Sequence, residues 1–313
     1  MYNIEELIKM ETCKNEQLEE LREIMQVLSD SIFSKPEVSR SKNGTYILSC
    51  ESVMSAMNTI QSIDYCCKRG FYADAFTLVR KYRDDLFQYL FLLKVVSSIR
   101  GMTDEELSEY DITDVQSFME MLAKEIEILD SGERKSEMDK AVEAWFFGTL
   151  IFDENEKDRK KYFGTSKYKS FIENSNDQVS FMMKTYFNDV WSNVNRILNN
   201  YVHANGYQYI VANYAMNIDG KQMLNEVVTV MQNVTSIFLC VLAVIAPTKM
   251  QSADYIDALE LGIEPEQGSE CWVDPCVVEY MDKYCKPMHQ GLLQYIEENN
   301  GYGMKFLLSD YVK

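Results

Sequence analysis

FYADAFTLVRKYRDDLFQYLFLLKVVSSI, residues 71–99, has the pattern of one long helix. Apolar residues recur along it at helical spacing, from Ala75 and Leu78 to Leu90 and Leu93, and together they form a wide face. A face of that width predicts burial between neighbouring helices rather than a place at the surface. We therefore expect this helix to lie at the centre of a helical protein.

A second stretch, VVTVMQNVTSIFLCVLAVIA at residues 227–246, is about long enough to cross a membrane. Its first half carries two threonines, a glutamine and an asparagine, and no cluster of basic residues flanks either end. We predict a buried central helix that ends before Pro247, and no association with a membrane.

The composition agrees with helices. Among 313 residues, 46% are apolar, and there are only five prolines and thirteen glycines. Such a chain can bury a large core and favours long helices over strands and turns. We predict an all-α multi-helix bundle in one domain of 313 residues. Its expected parts are N-terminal helices with a surface loop at 34–45 (together 1–48), a core at 49–247, and a C-terminal helical extension at 248–313.

Charge is distributed unevenly along the chain. The net charge of −18 disfavours a protein that coats nucleic acid or an anionic membrane. Residues 101–143 hold 14 acidic and 4 basic residues, which predicts an acidic helical arm that is either solvated or bound to a basic partner protein. Residues 157–169 hold six basic residues and one acidic residue. A ligand that binds at one of these segments would interact with its local charge rather than with the net charge of the whole chain.

The basic stretch interleaves cations with aromatic rings. Lys160, Lys161 and Lys167 surround Tyr162, and the glycine at position 164 indicates a loop. Single-stranded nucleic acid suits such a mixture, because cations follow the phosphates and rings stack on bases at about 1–3 kcal/mol per base. These four residues are our candidates for binding single-stranded RNA or a nucleotide. The alternative is a plain exposed loop.

RILNNYVH, residues 196–203, holds the candidate catalytic residues. Seven residues turn a helix by about 700 degrees, so Arg196 and His203 fall on one face, with Asn199 or Asn200 beside them. A histidine of near-neutral pKa can take a proton from a ribose 2′-hydroxyl, while an arginine stabilises the charge that develops on the phosphate. These residue types fit RNA cleavage without a metal. They also fit a polar seam that only orders the helices.

This segment resembles the R-x4-6-H motif of the higher eukaryotes and prokaryotes nucleotide-binding (HEPN) superfamily. AFTLVRKYRDDLFQYL, residues 75–90, is similar to the arginine-bearing helix of uncharacterised bacterial relatives, and LNNYVHANG to their second signature helix. The resemblance spans roughly residues 49–245. It implies a helical bundle, often dimeric, and in active members a metal-independent endoribonuclease of toxin or phage-defence systems.

The resemblance also implies roles for individual residues. Arg196 would stabilise the phosphate, and His203 would act as the acid or base. Active members commonly carry a polar residue directly after the arginine, whereas Ile197 stands there in this chain. Arg80 and Arg83 are two more candidates, because they either orient their helix by pairing with an acidic neighbour or reach the pocket of His203.

A metal site is the second candidate chemistry. Cys271, Cys276, Cys285 and His289 have the spacing C-x4-C-x8-C-x3-H, and four such ligands suit structural zinc. No C-x2-C pair is present and Pro287 interrupts the segment, so packing cysteines are the alternative.

No cofactor is expected. The chain lacks G-x-x-x-x-G-K-[ST], G-x-S-x-G and H-E-x-x-H, and no G-x-G-x-x-G follows a predicted strand. Eight scattered cysteines do not suggest a disulfide scaffold, and MYNIEELIKM does not have the order of a secretory signal, so we expect a cytoplasmic protein.

Two functions of different classes follow from these observations. One is a HEPN-type endoribonuclease that acts through Arg196 and His203 and is a candidate homodimer. The other is a non-catalytic helical module that holds a nucleotide or a protein. The acidic balance and Ile197 favour the second, and the position of His203 beside a basic stretch favours the first.

Overall fold

The computed structural model describes residues 15–149, 161–214, 219–307 and 309. Helices dominate this part of the chain, and its only named strands form one two-stranded sheet. The prediction of an all-α multi-helix bundle is confirmed. The N-terminal half comprises α1 (Glu16–Ser34), β1 (Glu37–Ser41), β2 (Gly44–Leu48), α2 (Glu51–Arg69), α3 (Tyr72–Ser98), α4 (Asp104–Leu107), α5 (Val115–Ser131) and α6 (Glu137–Phe146).

The C-terminal half continues the bundle with shorter helices around one long one. Its α-helices are α7 (Thr165–Asn174), α8 (Asp177–Thr185), α9 (Asn188–Val202), α10 (Tyr207–Ile210), α11 (Gly220–Ile245), α12 (Asp254–Glu260), α13 (Pro275–Tyr280) and α14 (Leu292–Asn299). Short 3-10 turns lie at Val211–Asn213, Pro247–Met250 and Ser269–Cys271, and Met281–Cys285 forms a π-helical turn.

Helices α3 and α11 form the centre of the bundle, as their sequences predict. α3 packs against α2, α7, α9 and α11. Tyr82 of α3 is fully buried, and its hydroxyl hydrogen-bonds the hydroxyl of Thr235 in α11 at 2.6 Å. The stop before α3 is Gly70, whose φ of +76° is a left-handed conformation that glycine adopts without strain. The centre is thus fixed by apolar packing and one buried polar pair.

α11 is the one helix in the described ranges with the length and composition of a membrane span. Of its most apolar window, 83% is buried inside the protein. The prediction of a buried central helix is therefore confirmed, and Pro247 begins a new turn directly after it. A continuous cluster of buried apolar residues extends around it from Leu18 in α1 to Phe306.

The predicted surface loop at 34–45 is wrong, because β1 and β2 form an antiparallel hairpin there. Its inward positions on β1 are Ser39 and Ser41, whereas Val38 points outward and is 59% exposed. Polarity along β1 is thus the reverse of the usual alternation, which hides the strand in the sequence. The hairpin is held by Tyr46, whose ring lies 4.9 Å from that of Phe146 in α6.

The acidic arm, residues 101–143, contains α4, α5 and most of α6. It is fastened to the hairpin by Lys135, whose ammonium group is buried and donates to the carbonyl of Arg40 and to Glu143, both at 2.8 Å. Burial opposes ionisation of Glu143, but hydrogen bonds from Lys135, Ser41 and Asn43 outweigh it and lower the pKa of that carboxyl group. The arm is therefore anchored by this buried charged pair together with apolar packing of Met138 and Val142 against the core.

Candidate functional site

Helix α9 presents one packed face and one exposed face. Val194 and Leu198 are fully buried, whereas Arg196, Asn199 and His203 are exposed. We call these last three residues the Arg196–His203 face. Its members lie at i, i+3 and i+7, which places them on one side of the helix over an axial span of roughly 10 Å.

The guanidinium group of Arg196 is turned away from His203. Its Nη2 atom donates to Oδ1 of Asn193 at 2.7 Å, which lies one turn toward the start of the helix. Ile197, the residue that departs from the active pattern, is half-buried and packs against the core. In this conformation Arg196 and His203 do not converge on one point, so a shared phosphate requires a different arginine rotamer or an arginine from elsewhere.

The other polar side chains at the end of α9 differ in the hydrogen bonds that they make. His203 caps the helix, and its ring makes no hydrogen bond to any residue that the structure describes. Asn200 donates to the hydroxyl of Tyr209 at 2.9 Å and accepts a longer bond from Asn205 at 3.4 Å. Asn200 therefore orders the turn after α9, and Asn199 is the amide that remains on the exposed face.

A carboxyl group on α11 lies within electrostatic range of this face. Glu226 is half-buried, and its burial raises the pKa of that group. The positive charge of Arg196 acts in the opposite direction and partly restores the charged form. Arg196 thus has a mild electrostatic role inside the protein in addition to its exposure to solvent.

Arg83 has a different environment, although it lies on the neighbouring helix α3. Its side chain is only 4% exposed. It donates to Asp84 from Nε and Nη2 at 3.0 and 2.7 Å, and from Nη1 to Asn195 of α9. Thr165, at the start of α7, donates to the same oxygen of Asp84. These four residues, which we call the Arg83 seam, join three helices.

Of the two alternatives that the sequence left open for Arg83, the structure shows pairing with an acidic neighbour, Asp84, rather than a contact with His203. Arg80 is placed differently: its Nε lies 3.9 Å from Asp84, and its side chain is 33% exposed. Since Phe76 stacks on Tyr201 and Arg83 reaches Asn195, Arg80 lies level with the middle of α9. Arg80 is thus partly exposed and lies close to Asp84 of the Arg83 seam.

The basic stretch is more structured than predicted. Lys160 lies outside the described residues, and Lys161 and Lys167 are exposed. Tyr162 is only 9% exposed, so the expectation that its ring stacks on bases is wrong. The stretch also enters helix α7 at residue 165 instead of forming a loop throughout, because its aromatic side chains pack inward on α3.

The basic stretch nevertheless lies beside α9. The ammonium group of Lys169 is 5.9 Å from the ring of Trp191, and Thr165 belongs to the seam that contacts Asn195. The start of α7, into which the basic stretch leads, is therefore close to the helix that carries the candidate catalytic residues.

The structure does not bring the four candidate zinc ligands together, since no three metal-ligating side chains gather among the residues that it describes. Cys285 is buried and hydrogen-bonded to Cys240 of α11, and burial raises the pKa of that Cys240 thiol well above its usual value. Cys271 and Cys276 are half-buried, and His289 is exposed with Nδ1 2.8 Å from the carbonyl of Gln290. The π-helical turn points Cys285 inward and separates it from the others.

Sequence reasoning missed Asn195 and Thr165, which complete the Arg83 seam. A signal existed for Asn195, because it is the one polar residue within the stripe formed by Trp191, Val194 and Leu198. No local pattern distinguishes Thr165 from its neighbours. Comparison of the chain with protein-family models, with curated proteins and with solved structures finds no match.

Proposed function

We propose that the Arg196–His203 face is the RNA-cleaving site of a metal-independent endoribonuclease of HEPN type. The observation that carries this proposal is the exposure of Arg196, Asn199 and His203 on one side of a helix whose opposite side is packed. A histidine, an amide and a cation are thereby accessible from solvent along one side of α9, although Arg196 and His203 of one chain do not converge on one point. The imidazole ring of His203 in particular makes no hydrogen bond to the described residues, although its backbone N–H donates to the carbonyl of Asn199.

The chemistry needs only these side chains and the RNA itself. His203 accepts the proton of a ribose 2′-hydroxyl, the 2′-oxygen attacks the adjacent phosphorus, and the bond from phosphorus to the 5′-oxygen breaks. The departing 5′-oxygen takes up a proton from water, so the products are a 2′,3′-cyclic phosphate and a 5′-hydroxyl. An arginine stabilises the extra negative charge on the phosphate during attack. DNA lacks the 2′-hydroxyl and is not a substrate for this route.

A second copy of the chain would supply the arginine that this geometry lacks. Arg196 faces Asn193 within its own chain, and His203 lies about 10 Å further along the axis. Two α9 helices related by a two-fold axis place the Arg196 of each copy beside the His203 of the other. The proposal therefore includes a homodimer whose cleft is formed by the two faces.

Basic residues near α9 would guide the RNA strand despite the net charge of −18. Lys161 and Lys167 are exposed on the stretch that leads into α7, and Arg80 is partly exposed beside Asp84 of the Arg83 seam. Cations along one side of a site raise the local concentration of a polyanion. Binding should weaken as salt rises, with a slope that reports the number of phosphates contacted.

A second candidate function has its own support. Ile197 packs against the core and Arg196 is hydrogen-bonded along its own helix, which suits a module that binds a nucleotide or a protein without catalysis. In that case the Arg196–His203 face contacts the ligand, and no bond is cleaved.

The test is cleavage of a pool of single-stranded and structured RNAs, with and without EDTA. We compare the native chain with His203→Ala and Arg196→Ala, and with Lys184→Ala, which removes an exposed cation from another helix. EDTA-resistant cutting that both site variants lose and the control keeps supports the nuclease. Binding of RNA without cutting supports the second candidate. If the native chain neither cuts nor binds any RNA in the pool, both candidate functions are rejected.

A further inference from the structure

Helix α5 carries an apolar face that is exposed to solvent. Val115, Phe118, Met119, Leu122 and Ile126 lie within an arc of about 100 degrees. Their exposed fractions range from 36% for Leu122 to 77% for Val115, and no residue of α5 is buried. An apolar stripe on a helix ordinarily faces a core. No part of the described chain covers this one.

Both flanks of this stripe are fixed to the rest of the protein, since Glu125 and Asp130 lie about 20 degrees beyond its two edges. The carboxylate of Glu125 accepts the backbone N–H groups of Gly101 and Met102, both at 2.7 Å. The contact is so close that a Cβ atom on Gly101 would lie 2.8 Å from the carbonyl oxygen of Glu125. Asp130, at the end of the helix, pairs with Arg40 at 2.9 Å. These contacts hold the apolar stripe outward, since turning it inward would break them.

Acidic residues border the stripe. Glu125 and Asp130 flank it directly, and Glu120 and Glu127 lie further round on the polar side, where Lys124 pairs with Glu127 at 3.4 Å. The whole arm from 101 to 143 holds 14 acidic and 4 basic residues. The border therefore attracts cationic side chains and repels anionic ones.

We infer that this face of α5 binds a basic amphipathic helix from a partner protein. Apolar residues of the partner, at i, i+3 or i+4, and i+7, pack between Phe118, Met119 and Leu122, while its lysines or arginines lie beside Glu120 and Glu127. A second copy of the chain fits less well, because it would bring two acidic arms together. The same repulsion disfavours an anionic membrane. This surface is separate from the Arg196–His203 face.

The probe is a fluorescent helical peptide of about 18 residues, with leucines at the spacing of one apolar stripe and lysines at the flanking positions. A matched peptide carries glutamates in place of those lysines. Anisotropy is measured with the native chain, with the double variant Met119→Ser/Leu122→Ser, and with Glu120→Lys. Leu261→Ser is the control, because Leu261 is 74% exposed at a site outside the arm.

We expect the lysine peptide to bind the native chain and the control alike. The double variant should bind it at least about tenfold more weakly, and Glu120→Lys should also weaken it. The glutamate peptide should bind the native chain at least about tenfold more weakly than the lysine peptide does. Circular dichroism confirms that each variant is folded, which is expected because every altered side chain is exposed.

Three results would overturn the inference. The first is no binding of the lysine peptide, and the second is equal binding of both peptides. The third is a concentration-dependent dimer, seen by sedimentation, that Met119→Ser/Leu122→Ser abolishes, because a second copy would then cover the stripe.

Discussion

The Arg83 seam and the Arg196–His203 face contain similar residue types, but the arginine of the first is buried between helices and that of the second is exposed to solvent. Arg83 is 4% exposed and donates to side chains of Asp84 and Asn195, which belong to two helices. Arg196 is exposed, and among the described residues its side chain donates only to Asn193 on its own helix. The difference shows that the partners of an arginine, and not its position in a motif, indicate whether it stabilises the fold or is available to a ligand.

Arg83 should matter most for stability. Replacing Arg83 by alanine removes three hydrogen bonds and leaves the side-chain oxygen of Asn195 without the donor that it has in the native chain. We expect a loss of about 2–4 kcal/mol in the free energy of unfolding, measured with urea. Arg80→Ala is the matched control and should cost less than about 1 kcal/mol, because its single ion pair is long and partly exposed. Equal losses would remove the distinction between the two arginines.

Two adjacent residues of α9 sharpen the comparison. Asn195 accepts from a buried arginine, so Asn195→Ala should cost about 1–2 kcal/mol by leaving that donor unsatisfied. Arg196→Ala, one residue later, should change the unfolding free energy by no more than about 0.5 kcal/mol. Urea unfolding of both variants in one buffer measures the difference. A larger loss at Arg196 would mean that this arginine is structural.

Asn200 should have an intermediate effect. Its amide donates to the hydroxyl of Tyr209 at 2.9 Å, in a partly buried turn. Tyr209→Phe removes the acceptor and keeps the ring, so we expect a loss of about 0.5–1 kcal/mol. Asn199→Ala should have no measurable effect on thermal unfolding, because its side chain has no partner among the described residues. A larger loss of stability in Asn199→Ala than in Tyr209→Phe would mean that Asn199, and not Asn200, is the asparagine that stabilises the fold.

The smallest expected effect concerns pH. Burial raises the pKa of Glu226 above its ordinary value of 4.5, so its neutral form favours the folded state. That contribution is complete below pH 4.5 and is lost as pH rises through the folded pKa. Glu226→Gln should therefore be more stable than the native chain at pH 7 and equal to it at pH 4. Thermal unfolding at both pH values checks this.

Arg196 modifies the same titration. Its charge lowers the pKa of Glu226, so Arg196→Ala should raise that pKa further and extend the loss of stability to higher pH. An unchanged pH profile would show that the two groups do not interact. This effect is small because both side chains reach solvent.

The centre of the fold follows from the sequence, and the seam does not. The pattern at 71–99 predicts α3 to within one residue of Tyr72–Ser98, because a wide apolar face repeats over many turns. The fate of Arg83 depends instead on Thr165 and Asn195, which lie 82 and 112 residues away along the chain. No local pattern carries that information.

The same limit explains the other differences. The hairpin is hidden by inward serines at 39 and 41, and the zinc spacing is undone by a π-helical turn that buries Cys285. Tyr162 reads as an exposed ring beside lysines, but tertiary packing makes it part of the interior. By contrast, the shared side of Arg196 and His203 follows directly from helical periodicity. Which of those two residues acts on a ligand stays a prediction.

The most direct test of the functional account is the rate at which His203→Asn cleaves one labelled single-stranded RNA in EDTA. Asparagine preserves size and hydrogen bonding but cannot act as a base near neutral pH. We predict a fall of at least about 100-fold in rate, with an unchanged melting temperature. Cleavage at the native rate by folded His203→Asn would contradict the account and return the Arg196–His203 face to a binding or structural role.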